Sequence, residues 1–261
     1  MSDDMELPDL LRLRDELRAS RGGQLDRSWT ALRVSLYVFR TNANAALRFD
    51  RLLSEDGDSQ PLRLTSQPDF NAAISEATRL FANFLSSASA LAEHTMIHIR
   101  EFYSDRPFNE TYRDEIRKQL VTTPLHGIVV GLRNYSMHYA LPLSGMTTQL
   151  ARTLPGGELE EDRHFTIGVD ELLLWDGWNP GAKRFLSESG HSVSLSSVVD
   201  PYLRAVDAFY DWLVFAEEEV NAAEFGRYDR ELERVAALFR ENFPALYEYL
   251  DDGRNRSGME S

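Results

Sequence analysis

The chain has 261 residues, 43% hydrophobic and 27% charged, with a formal net charge of −14 and no cysteine. That balance belongs to a folded chain with a core of its own and excludes the disordered class. It also excludes disulfides, thiolate nucleophiles and cysteine-based zinc sites, and it argues against a broad basic surface that coats nucleic acid. The first residues, Met1 to Glu6, are acidic where a secretory signal is basic, and no apolar run is long enough to cross a bilayer. The expected location is therefore the cytoplasm, with no membrane partner. Lysine occurs only at Lys118 and Lys183. Codon bias is the bland reading of this, and arginine also supplies planar, permanently charged forks that suit phosphate where several converge.

Helical periodicity dominates the chain. Over residues 25–53, Trp29, Leu32, Leu36, Phe39, Ala43 and Ala46 recur at steps of three and four. Asp56-Gly57-Asp58 and Pro61 predict the end of this helix. A second long helix is expected after Pro68, with Phe81, Phe84, Leu85, Ala88, Ala92, Ile99 and Phe102 on one stripe and Pro107 beyond its end. A shorter one over residues 109–120 carries Tyr112, Ile116 and Leu120. Thr123 then caps, and Pro124 opens, a helix with Leu125, Ile128, Val129 and Leu132. Pro142 limits it, which places its end at residues 138–140.

The stretch 143–191 breaks the pattern. Residues 147–154 and 164–169 flank Pro155-Gly156-Gly157 and predict a small β-hairpin, followed by short helical pieces at 171–175 and 182–188. Helical spacing returns with Tyr202, Val206, Phe209, Leu213 and Ala216, preceded by Ser196, Ser197 or Asp200 as candidate caps. Tyr228, Leu232, Val235, Phe239, Leu246 and Leu250 form the last stripe. The acidic run Glu217-Glu218-Glu219 is expected on a solvated face, and the polar tail at 251–261 is expected to be disordered. The predicted architecture is a mainly all-α helical bundle with a small β-hairpin insertion within residues 143–170, in one domain over 1–250.

The segment that carries chemistry is Gly131-Leu132-Arg133-Asn134-Tyr135-Ser136-Met137-His138-Tyr139. On a regular helix Asn134 and His138 are about 40° apart around the axis, whereas Arg133 and His138 are about 140° apart. One regular helix does not aim Arg133 and His138 at a single phosphate. Either the helix unwinds there, or two copies of the chain meet and each supplies what the other lacks. A histidine near a helix C-terminus is favoured in its protonated form. Beside an arginine it could move a proton to or from the sugar oxygens while the arginine holds charge on the phosphate. Asn134 would orient either group. The bland alternative is that these side chains cap carbonyls and tie down a loop.

This segment resembles the signature of the HEPN superfamily, an arginine, a polar residue, three arbitrary residues and a histidine, matched by Arg133, Asn134 and His138. The resemblance spans about ten residues and extends loosely to the helical context. It implies a homodimer with a shared site, and a metal-independent endoribonuclease that needs no cofactor because the RNA 2′-hydroxyl is the nucleophile. It also implies a role in bacterial defence or as a toxin, with an antitoxin or defence-system partner. One toxin subgroup carries a tyrosine two residues after the histidine. Here Tyr139 follows His138 directly and Ala140 takes that place, so that subgroup's tyrosine modification and its partner are not implied. The alternative in the same family is a non-catalytic module that binds RNA, a nucleotide or a protein.

A third reading is a metal-dependent helical-bundle enzyme. His94, His98 and Glu101 stand at i, i+4 and i+7, within about 60° of arc, a spacing that can supply metal ligands from one helix face. That face borders the core stripe, where histidines commonly pack and hydrogen-bond, and no matching cluster stands on another helix. The expectation is that they hold no metal, and that His94, His98 and Tyr135 flank and support the Arg133 site.

Overall fold

A computed structural model describes residues 6–53, 66–152 and 159–245. The chain is mainly α-helical, with a small antiparallel sheet of three strands among the described residues. In order these are α1 (Leu7–Ala19), α2 (Arg21–Arg51), α3 (Gln67–Tyr103), α4 (Phe108–Ile116), a π turn (Arg117–Val121) and α5 (Pro124–His138). They continue with β1 (Leu143–Arg152), β2 (Leu159–Gly168), α6 (Val169–Leu172), α7 (Pro180–Glu188), β3 (Ser192–Ser194), α8 (Leu195–Val220) and α9 (Ala222–Asn242). No described helix is long and apolar enough to cross a membrane. The described residues divide between two compact units, one drawn from residues 1–31 and 214–261, the other from 32–213.

In the first unit Leu10 of α1 is buried with Val235 and Phe239 of α9, and Leu7, Leu11 and Leu17 pack around them. Helix α1 was not anticipated, because its leucines are interleaved with charges and its stripe is short. The indole Nε1 of Trp29 donates to Glu217 Oε2 at 2.8 Å, and Glu217 is fully buried. This corrects the expected solvated run: Glu217 turns inward, and Glu218 and Glu219 alone face solvent.

The second unit has an aromatic centre. Phe39 of α2, Phe81 and Phe84 of α3, and Tyr202 and Phe209 of α8 are buried together, with Phe84 edge-on to Tyr202 at 6.1 Å. The π turn interrupts the expected helix over 109–120 at its last turn. Helix α5 starts as its sequence predicts, with the Thr123 side chain accepting from His126 N. For α8 the cap is Ser194, whose Oγ accepts from Ser197 N at 3.2 Å, rather than Ser196, Ser197 or Asp200. Pro201 lies inside the first two turns of α8, so the candidate caps fall within the helix.

The hairpin begins and ends earlier than expected. Leu143 pairs with Ile167 and Arg152 with Leu159, and Val169 opens α6 rather than closing a strand. The short strand β3 pairs with residues 166–168 and was not anticipated. Pro155-Gly156-Gly157, the helix-closing signals at 56–61, Leu246, Leu250 and the expected disordered tail lie outside the described residues.

The sheet is tied to α2 by one buried carboxylate. Asp50 accepts from Phe165 N at 2.8 Å and lies 2.9 Å from His164 Nδ1. Removing it leaves a buried amide unpaired. Asp50→Ala should lower unfolding free energy by roughly 3 kcal/mol, from one lost charge-assisted bond and one orphaned donor. Asp50→Asn, which still accepts from Phe165, should lose less than half as much. Urea denaturation of the three proteins measures both.

Candidate functional site

Helix α5 lies where two glycines permit. A Cβ on Gly131 would meet the Trp178 ring at 2.2 Å, and one on Gly127 would meet the Asn179 side chain at 2.3 Å. Those neighbours are themselves fixed. Trp178 Nε1 donates to Leu172 O at 2.7 Å, and Asn179 Oδ1 accepts from Ala182 N to cap α7. Gly127 and Gly131, one turn apart, therefore form a flat seam against residues 178–179, and the opposite face of α5 turns toward α3 and α8.

The helix stays regular through the motif. Ser136 Oγ donates to Leu132 O at 2.7 Å, and Tyr139 N donates to Tyr135 O at 2.9 Å. The unwinding considered for this segment does not occur before His138, and Arg133 and His138 remain on different faces. Arg133 is half-buried and its Nη1 donates to Asn134 Oδ1 at 3.1 Å. His138, the last helical residue, is exposed. Its side chain has no hydrogen-bond partner among the described residues. Seven positions from Gly131, it continues the seam face past the point where Trp178 covers it.

Aromatic rings surround that end of the helix. Tyr135 stacks on Tyr139 at 5.6 Å and 12°, and both meet the Trp175 ring edge-on, at 5.8 and 6.0 Å. Trp175 in turn contacts Trp178. Tyr139 and Met137 are 67% and 64% exposed, and Leu141 is exposed beside them. Tyr135, expected as a supporting residue, belongs to this cluster through Tyr139 and Trp175.

His94 and His98 do not. His98 is buried beside the rings of Phe102 and Tyr103, while His94 is exposed with Nδ1 2.7 Å from Ser35 Oγ. Glu101 is exposed. The three side chains thus sit in different surroundings, and among the described residues no group of three potential ligands gathers. Asp50, His164 and Ser196 also fail as a nucleophilic triad. Ser196 Oγ, at 3.4 Å, and Asp50 Oδ2 approach the same ring nitrogen, Nδ1, so no proton can pass through the imidazole between them.

Arg133 and Asn134 instead reach the wall of a cavity of about 380 Å³ framed by α2, α3, α4, the π turn, α5 and α8. His126, Val129 and Val130 of α5 line it too. His126 was passed over in the sequence because it has no histidine or acidic neighbour. Its signal was the spacing: His126, Val129, Val130, Arg133 and Asn134 fall at i, i+3, i+4, i+7 and i+8, one continuous face. His126 Nδ1 lies 3.3 Å from the Tyr202 hydroxyl, and burial pulls its pKa below the ordinary histidine value. The same burial pushes Tyr202 and Tyr112 up to about 12 and Tyr210 higher still.

A histidine with a depressed folded pKa is protonated first in the unfolded chain, so stability rises with pH and is lost as pH falls through the unfolded value near 6.5. The loss ends once the folded pKa is passed. His126→Gln removes this titration. The wild-type urea midpoint should therefore fall more steeply than that of His126→Gln between neutral pH and mildly acid pH, and parallel curves would show that His126 is not held neutral.

No family model, no curated protein and no solved structure matches the chain.

Proposed function

We propose that the chain binds and cleaves RNA at the C-terminal end of α5, as a HEPN-like, metal-independent endoribonuclease. The observation that carries this reading is an exposed histidine at a helix C-terminus beside partly exposed, stacked tyrosines, with the Arg133–Asn134 pair one turn back. Tyrosine faces of this kind stack unpaired bases. In the proposed reaction His138 takes the proton from the 2′-hydroxyl or returns one to the leaving 5′-oxygen. Arg133 neutralises charge on the phosphate oxygens, and Asn134 holds the guanidinium in place. The 2′-oxygen forms a bond to phosphorus as the bond to the 5′-oxygen breaks, leaving a cyclic phosphate.

The site proposed is composite. Arg133 and His138 lie about 140° apart on an unbroken helix, so Arg133 of one copy would serve the phosphate handled by His138 of another. A two-fold contact over the exposed Met137, Tyr139 and Leu141 would build two such sites and cover that apolar surface. A defence or toxin role, with a neutralising partner and a cytoplasmic location, rests on the motif resemblance alone. The second reading, a non-catalytic RNA-binding module, is favoured by the Arg133–Asn134 bond, which also suits a purely positioning pair.

The purified protein should cleave single-stranded RNA in excess EDTA and leave 2′,3′-cyclic phosphate ends, while DNA of the same sequence survives. His138→Ala should slow cleavage by about a hundredfold or more and leave RNA binding and the helical circular dichroism intact. Arg133→Ala should weaken binding and turnover together. RNA bound but never cut would select the non-catalytic reading, and RNA neither bound nor cut would dismiss both.

A further inference from the structure

We propose that the cavity behind Arg133 is a binding site for an amphipathic monoanion, a medium-chain aliphatic carboxylate, with its tail inside and its head group on the Arg133 guanidinium. The inference shares Arg133 with the RNA reading but not His138, and its test reads ligand binding without RNA, so either can fail alone. The volume of about 380 Å³ falls within the range of pockets that enclose small molecules. The inner wall is aliphatic and aromatic, with Leu85, Ala88, Leu91, Val129, Val206 and Phe209 among its residues.

Four of the polar side chains on that wall already pair with one another. The Tyr202 hydroxyl meets His126, and the Tyr210 hydroxyl meets Thr95. Besides the Arg133–Asn134 pair and the exposed Glu93, Ser89 and Tyr112 add one hydroxyl each, fewer polar groups than a sugar or a nucleobase needs in exchange for its hydration. A hydrocarbon chain loses nothing. His126 is held toward its neutral form by burial, which leaves Arg133 as the one permanent cation lining the cavity among the described residues. Its Nη1 is used by Asn134, and the fork keeps further N–H groups with which to meet a carboxylate.

The cavity also has an opening. Ala92, Met96, Val121 and Val130, all lining residues, are exposed. Val121 belongs to the π turn, which with Leu120 sets that wall. Single π turns inside helices are frequent at functional sites. Among the described residues Glu93 is the one acidic residue of the lining, and it is exposed. It would repel a carboxylate weakly through solvent and does not supply a second anchor.

Isothermal titration calorimetry of the full chain with octanoate, decanoate and dodecanoate, and with the matching alcohols, tests this directly. At least one carboxylate should bind with one-to-one stoichiometry, and its alcohol should bind about tenfold more weakly, the loss expected for one charge-assisted contact. Arg133→Gln should erase the difference between acid and alcohol while leaving the alcohol affinity unchanged. Ala92→Trp, at an exposed rim position that spares the core, should abolish binding of both, with folding checked by circular dichroism. The proposal is overturned if no carboxylate binds, if acid and alcohol bind alike to the wild type, or if folded Ala92→Trp binds as the wild type does.

Discussion

The close approach of Gly127 and Gly131 to Asn179 and Trp178 fixes where every candidate residue of α5 points. Neither position can carry a Cβ without displacing a side chain that is itself held, Trp178 by Leu172 and Asn179 by its capping bond to α7. With the seam set, the rest follows from helix geometry. Residues about 200° from Gly131, Arg133 first among them, turn toward α3 and α8 and meet the cavity. Tyr135 and His138 continue the seam face beyond Trp178 and meet Trp175 and solvent instead. One constraint thus separates the two ends of a short sequence motif.

That separation shapes what the helix can do. A site that needs both Arg133 and His138 within one chain would require the last turn of α5 to unwind, at the cost of the Ser136–Leu132 and Tyr139–Tyr135 hydrogen bonds. Two copies meeting at the exposed aromatic end avoid this cost. The arrangement also gives Arg133 two prospective roles, facing the cavity on one side and, in the proposed dimer, a phosphate on the other. Its bond to Asn134 holds the guanidinium at the boundary between them.

Much of the fold was legible because helical stripes record burial directly. Phe39, Phe84, Tyr202 and Phe209 lie at core spacings and are core residues. Thr123 and Pro124 marked the start of α5 and Pro142 limited its end. Helix α1 was illegible because its leucines alternate with arginine and acidic residues, and only pairing with α9 buries Leu10. Glu217 read as solvated because its partner, Trp29, is 188 positions away in sequence. The motif residues were legible as a helix-borne set, and so was their angular mismatch. The cavity was not, since it is made by six elements whose proximity no local pattern records. His126 carried only its spacing to Arg133. The histidine pair on α3 shows the reverse case, in which local spacing suggests a shared site that tertiary packing divides between a buried and an exposed environment.

The central claim, that Arg133 and His138 act together only across two copies, is tested most directly by mixing. Arg133→Ala and His138→Ala proteins, each purified separately and then allowed to exchange subunits, form mixed dimers in which one of the two composite sites is intact. Random exchange should restore about a quarter of wild-type RNA cleavage, since half the dimers are mixed and each has one working site. A mixture that exchanges subunits, shown by co-purification of differently tagged copies, yet cleaves no faster than its separate components would contradict the account.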